Sequence, residues 1–326
     1  MKKILIFGST GYIGAYLTKF YHKGKDCLVF PVVRETSKDK ILDNEFFQNS
    51  IIGDIHNQDF ISKTIERISP DIIIYCISLN HLDSQRDLNY SLLNNVSPLA
   101  QTLNQAAKLN KKIKFLYFST LQIFGNYKLN EEINENSNVS PLNHYALTHK
   151  LCDDLLDYFN TTTEIQTTSL ILSNSFGYPL LKETDCWWLV MNDFCRSAIL
   201  QRKIVIRSDG TPERDFISLN EVCQKVNEVI NKNFPSKLII SSGTTYNIYN
   251  LAKIVKERVY SLFGNNTDIL DAEHNPFVFD DKISKGKLVR IKSIHSNLFD
   301  YKNDYSMAQS IDELLLSINA NKKDQV

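Results

Sequence analysis

The chain has 326 residues, a length that suits one large domain or two of ordinary size. Its 43% apolar and 23% charged residues are the balance of a soluble globular protein. With 37 Lys+Arg against 37 Asp+Glu, the net charge argues against nucleic acid and against an acidic membrane surface as partners.

In chain order, ILIF (4–7), CLVFPVV (27–33), SII (50–52), DIIIYCI (71–77), IKFLYF (113–118) and IQTTSLIL (165–172) are short, mostly continuous apolar runs. Such runs suit strands buried on both faces of a sheet. Helical spacing fills intervals at 57–68, 89–109 and 144–159. This alternation predicts an α/β fold, with a Rossmann-type doubly wound parallel sheet over residues 1–172. After about residue 173 the rhythm breaks into irregular, aromatic segments such as WWLV (187–190). Residues 173–326 are read as a smaller, mixed substrate-binding domain with segments returning to the sheet. ILIF is too short for a signal-peptide core, and nothing later reaches the length of a membrane span. The polar tail NANKKDQV (319–326) reads as frayed. Six scattered cysteines (Cys27, Cys76, Cys152, Cys186, Cys195, Cys223) form no CxxC and no His/Cys cluster. No metal is expected, and the thiols are read as reduced, hence a cytoplasmic chain.

GSTGYIG (8–14) follows the first run directly and opens the first helix. Glycines there serve a tight turn, close approach of a pyrophosphate and packing of helix on sheet, while the helix N-terminus offers free N–H groups to phosphates. The spacing is G-x-x-G-x-x-G, and its place after a strand makes Gly8, Thr10, Gly11, Tyr12, Ile13 and Gly14 the candidate dinucleotide loop. The second strand ends in VVRETS, with Arg34 at the tip and no carboxylate before Glu35. A carboxylate there binds the ribose 2′-OH of NAD, whereas a planar guanidinium suits the 2′-phosphate of NADP. The reading favours NADP(H) over NAD(H), with Ser37 and Lys38 as further phosphate contacts; a solvated surface arginine is the alternative.

Four further stretches follow in order: GDI (Gly53, Asp54, Ile55), LYFSTLQIFG (116–125), LSNSFGYP (172–179) and GTPERDFISLNEV (210–222). Tyr145, in YALTHK, lies 25 residues after Thr120. With the glycine loop, these resemble the extended short-chain dehydrogenase/reductase family, in its nucleotide-sugar epimerase, dehydratase and ketoreductase group. The resemblance implies adenine contacts from Asp54 and Ile55, a catalytic hydroxyl at Thr120 and an acid/base phenol at Tyr145. It also implies substrate contacts from Asn174 and a diphosphate partner in Arg214, which a structural ion pair would equally explain. Hydride transfer to or from a sugar carbon requires a proton to move on the attached oxygen, and a phenol beside a hydroxyl can carry it. Asn95 is read either as ordering its helix or a water, or as a solvated helix residue. Trp187 and Trp188 are read as packing before stacking, and His81 as a solvated loop residue. A homodimer is the family's habit, pairing the helices at 89–109 and 144–159.

Two departures sharpen the reading. Dehydratases of the family carry Asp-Glu after the threonine; here Leu121 and Gln122 exchange no protons, which disfavours dehydration. The family's lysine, four residues after the tyrosine, is His149 here, on Tyr145's face of the helix, while Lys150 is turned roughly 140° away. A slip within the helix's first turn would let Lys150 serve instead. A histidine can anchor the nicotinamide ribose, so His149 joins the catalytic and cofactor-binding candidates, but neutral it lowers the phenol's pKa far less than a lysine. A phenol left near about 10 suits an acid that reduces a ketone better than a base that oxidises an alcohol. The expected activity is NADP-dependent reduction of a 4-keto sugar on a nucleotide diphosphate. The alternatives are a nucleotide-sugar C4-epimerase or a non-catalytic NADP-binding protein.

Overall fold

The computed structural model describes residues 1–24, 26–42, 44–126, 131–279, 289–301 and 306–322, so the last four residues of the tail lie outside it. The apolar runs form β1 (Lys2–Phe7), β2 (Cys27–Val33), β3 (Ile51–Ile52), β4 (Ile72–Tyr75) and β5 (Ile113–Thr120). A short β6 (Glu132–Ile133) is followed by β7 (Ile165–Leu172), β8 (Asn174–Phe176), β9 (Lys203–Val205), β10 (Glu213–Ser218) and β11 (Lys237–Ile240). The main sheet has seven strands in the order β11-β7-β5-β4-β1-β2-β3, all paired in parallel. The order reverses at β1, as a doubly wound sheet requires.

The connecting helices are α1 (Tyr12–His22), α2 (Gln58–Ile68), α3 (His81–Ser84), α4 (Leu88–Ser91), α5 (Ser97–Ala107) and α6 (His144–Thr162). The two-residue period of each strand sends alternate side chains to opposite faces, which is why both must be apolar. Leu5, Phe7, Ile73, Tyr75, Phe115 and Tyr117 pack on one face with α2, α5 and α6. Ile4, Ile6, Ile72, Ile74, Leu116 and Phe118 pack on the other with α1 and with α8 (Leu219–Asn231). The helix expected over 89–109 is interrupted by a π-helical turn at Leu92–Val96. Pro98 follows it, lacking an N–H and crowding the carbonyl of Asn94, and a widened turn accommodates both.

Beyond β8 a separate core gathers α7 (Val190–Gln201), α9 (Ile248–Phe263) and α10 (Met307–Ala320). Against it lies a small sheet in which β10 sits between β8 and β12 (Thr245–Asn247). Two short parallel pairs complete the strands among the described residues: β9 with β13 (Asp268–Leu270), and β6 with β14 (Arg290–Ile291). Trp187 packs on the α7 core under the guanidinium of Arg196, 5.1 Å from its ring, whereas Trp188 is exposed. Among the described residues, no helix is long and apolar enough to cross a membrane and no His/Cys/Asp/Glu group could hold a metal ion.

Candidate active site

The loop between β1 and α1 has the form its glycines permit. Gly8 is left-handed, with φ +77°, and a Cβ on Gly14 would stand 2.1 Å from the Gly8 carbonyl oxygen. Only glycine lets this helix approach the strand so closely. Ser9 Oγ donates to the Val32 carbonyl at 2.7 Å, tying the loop to β2. Gly11 is the N-cap of α1 and supplies no side-chain cap, so the first turn keeps its N–H groups for an outside acceptor. Tyr12 turns away, donating to the Gly177 carbonyl at 2.7 Å and accepting from Asn192 at 2.9 Å, and Ile13 packs into the core. A cleft of about 520 Å³ opens here, lined by Gly8, Thr10, Gly11, Arg34, Asp54, Ile55 and Ser78 among others. Arg34 is exposed at the end of β2. Ser37 is buried, and Lys38 pairs with Glu35 at 3.6 Å. A glycine cradle, an uncapped helix end and an exposed guanidinium fit a nicotinamide dinucleotide.

Tyr145 is the second residue of α6 and is half-buried. The N-cap residue Asn143 accepts from the Ala146 N–H at 2.8 Å and donates to Gln122 at 3.2 Å, which sets the helix start against the end of β5. The phenol lies beside Thr120, the last residue of β5; burial raises its pKa, and the Thr120 hydroxyl only partly opposes this. Thr120, Gln122, Asn143, Asn174 and Arg214 line a second cleft of about 830 Å³. Leu121 is buried. Asn174 Nδ2 donates to the Asp215 carbonyl at 2.9 Å. Asp215 is buried and accepts from the hydroxyls of Ser173 and Ser242 and the backbone N–H groups of Ser242, Gly243 and Thr244. The aspartate thus anchors a loop, while Arg214 is exposed and donates to the Glu213 carbonyl at 2.8 Å.

His149 is 2% exposed and lies edge-on to the Tyr145 ring, 4.5 Å between centroids. Its Nδ1 is 2.6 Å from Tyr117 Oη and its Nε2 is 3.1 Å from Ser78 Oγ. Burial pushes its pKa down to about 3, so the ring is neutral at physiological pH. Ser78 Oγ donates to the Leu79 carbonyl at 2.9 Å, which assigns the imidazole proton to Nε2, directed at Ser78, and leaves Nδ1 to accept from the Tyr117 phenol. Lys150 pairs with Asp154 on the outer face of the helix, so it is His149 that shares Tyr145's face. Tyr145 stands between the two clefts, beside Thr120 of one and packed on the imidazole that touches Ser78 of the other.

Several functional neighbours escaped the sequence reading. Alternate residues of β5, Tyr117 and Ser119, meet His149 and Asp153, which are four apart on α6. The strand's Y-x-S against the helix's H-x-x-x-D was the available signal, since both spacings place their pairs on facing surfaces. Asp153 accepts from Ser119 at 3.0 Å and Ser169 at 2.6 Å, and burial raises it to about 7. Asn95 is buried, accepting from the Leu79 N–H at 2.7 Å and donating to Thr148 at 2.9 Å, so it ties the loop after β4 to α6. His81 lies edge-on to Tyr145 at 6.1 Å, inside the site rather than in solvent.

A family model described as the NAD dependent epimerase/dehydratase family matches residues 4–250. Among curated proteins, the chain is 21% identical over 261 residues to GDP-6-deoxy-D-talose 4-dehydrogenase of Aggregatibacter actinomycetemcomitans, covering 78% of this chain and 79% of that one. Among solved structures, UDP-N-acetylglucosamine 4-epimerase from Methanobrevibacter ruminantium superposes with a TM-score of 0.81 at 19% identity, over 98% of this chain and 99% of that one. UDP-glucose 4-epimerase from Thermotoga maritima gives 0.79 at 16%, with the same coverage. At such identities the structural likeness shows the fold alone.

Proposed function

Because the chain belongs to the NAD dependent epimerase/dehydratase family, we propose that it is an NADPH-dependent reductase of a 4-keto sugar carried on a nucleotide diphosphate, with Tyr145 as proton donor. The observation that carries this reading is the neutral, buried His149 beside Tyr145. With no cation beside it among the described residues, and with burial raising the phenol, Tyr145 stays protonated at physiological pH and is set to give its proton rather than take one.

A bound nicotinamide supplies the hydride. Gly8, Thr10, Gly11 and the first turn of α1 hold the pyrophosphate, Asp54 and Ile55 flank the adenine, and Arg34 takes the 2′-phosphate. Thr120 and Tyr145 bind the ketone oxygen, and Asn174 and Arg214 hold the sugar-nucleotide's diphosphate end. As the carbonyl carbon takes the hydride, its oxygen takes the Tyr145 proton, which the phenolate regains from water. The relative named a GDP-6-deoxy-D-talose 4-dehydrogenase acts, by its name, at the same sugar position, which supports C4 as the reacting carbon. In this reading residues from 173 onward shape the substrate site, the protein works in the cytoplasm as a homodimer, and the sugar nucleotide is its partner.

An epimerase reading draws on the names of the solved relatives. The two part on stoichiometry. Incubated with NADPH and GDP-, dTDP-, CDP- and UDP-linked 4-keto-6-deoxy sugars, a reductase consumes one NADPH per sugar. Inversion at C4 of the corresponding 4-hydroxy sugar nucleotides with no net oxidation of NADPH, and no NADPH spent on the keto sugars, would refute the reductase.

A further inference from the structure

His149 has no nitrogen left for an outside ligand: Tyr117 occupies Nδ1, and Nε2 points at Ser78. Ser78 is half-buried and lines the first cleft. Its place in the sheet is specific. Arg34 stands at the end of β2, the glycine loop at the end of β1, Ser78 just past the end of β4, and Thr120 with Tyr145 at the end of β5. A dinucleotide laid along this edge, with its adenosine at β2 and its pyrophosphate at β1, brings its other ribose to β4.

We propose that Ser78 Oγ, oriented by the Nε2–H of His149, is the acceptor this chain offers to a hydroxyl of the nicotinamide-side ribose, with His149 a positioning residue that does not itself touch the cofactor. A serine oxygen has two lone pairs, and the imidazole N–H engages one. The other is free to accept a ribose O–H, while the serine's own proton goes to the Leu79 carbonyl, 2.9 Å away. The loop carrying Ser78 is held by the bond from the Leu79 N–H to Asn95, so the hydroxyl is fixed before any ligand arrives. A neutral hydroxyl acceptor thereby stands where a charged donor would otherwise meet the ribose, and the dinucleotide is held without placing a cation beside Tyr145. This inference rests on the reading of the first cleft as a dinucleotide site.

The test is binding, not turnover. NADP+ and NAD+ are each titrated into the wild-type protein by calorimetry. The tighter one is carried into the variants beside its adenine half, adenosine 2′,5′-bisphosphate for NADP+ or ADP for NAD+. Ser78→Ala is expected to weaken the dinucleotide about three- to tenfold, the loss of one hydrogen bond, and to leave the adenine half unchanged. Ser78→Thr, which keeps the hydroxyl, is expected to restore most of the loss. His149→Phe should weaken the dinucleotide in the wild-type background and add nothing in the Ser78→Ala background. Unchanged dinucleotide affinity in Ser78→Ala, or equal weakening of dinucleotide and adenine half, would overturn the proposal. Preference for NAD+ would overturn the NADP reading alone and leave this test intact, whereas a wild-type protein that binds neither would overturn both. Should His149→Phe fail to fold, the Ser78→Ala comparison with the adenine half still decides.

Discussion

Replacing His149 by phenylalanine tests the premise on which the direction of catalysis depends, namely that the imidazole is neutral in the folded protein. Its pKa falls from 6.5 to about 3 on folding because burial penalises the charged ring. The folded state therefore binds fewer protons than the unfolded chain between those values. Stability contributed by the neutral ring is present above pH 6.5 and is lost as the pH falls towards the folded value. At about 1.4 kcal/mol per unit, titration 2.5 units below the unfolded pKa costs about 3 kcal/mol by pH 4. Phenylalanine has no such dependence. It removes the His149 contact from the buried Tyr117 phenol and one of the two bonds of Ser78, a penalty of about 1–3 kcal/mol that does not vary with pH. Urea unfolding of both proteins from pH 7.5 to 4 should show the variant less stable at pH 7.5 and the gap closing by about 3 kcal/mol on acidification. Asp153 titrates in the same range with the opposite sign, but it is present in both proteins and cancels in the difference. Parallel curves would mean that the folded ring titrates normally, and the argument for a protonated Tyr145 would lose its basis.

Tyr145→Phe should lower turnover about 10²- to 10⁴-fold, the usual worth of a positioned proton donor, with dinucleotide affinity unchanged; near-normal turnover would remove Tyr145 from the chemistry. Arg34→Glu should weaken NADP+ about ten- to a hundredfold, as loss of a charge-assisted contact to phosphate does, while sparing NAD+; an unaltered ratio of the two dissociation constants would show that Arg34 is only a surface charge. Asp153→Asn should make stability rise more steeply with pH, because in the wild-type protein the Asp153 loss offsets the His149 gain over much of the same range. The carboxyl is raised from 3.8 to about 7, so the native protein loses stability as the pH climbs through that window. The variant should escape that loss, worth up to about 4 kcal/mol by pH 8. Identical slopes from pH 4 to 8 would contradict the buried, proton-retaining state of Asp153.

Much of the fold was legible because a doubly wound sheet imposes a strong pattern. CLVFPVV at 27–33 and IQTTSLIL at 165–172 became strands over the same residues, since strands buried on both faces read as unbroken apolar runs. The glycine loop was equally visible, because a left-handed Gly8 and a Gly14 pressed on a carbonyl tolerate no other residue. The surroundings of Tyr145 were less so. The helical period placed His149 beside it, but no local pattern says that a strand tyrosine 32 positions earlier and a loop serine 71 earlier will take both ring nitrogens. Such contacts are set by the order of strands in the sheet. His81 likewise read as a lone loop histidine until α3 brought its ring to the phenol.

The most direct measurement follows one atom. The protein is incubated with NADPH deuterated on the transferable C4 position and with the nucleotide-linked 4-keto-6-deoxy sugars, and the product is examined by NMR. The reductase account predicts one equivalent of NADP+ and one deuterium bonded to the sugar's C4, with both hydride faces supplied in turn to identify which one is delivered. A sugar that returns without deuterium while NADPH remains unspent, across the whole panel, would contradict it.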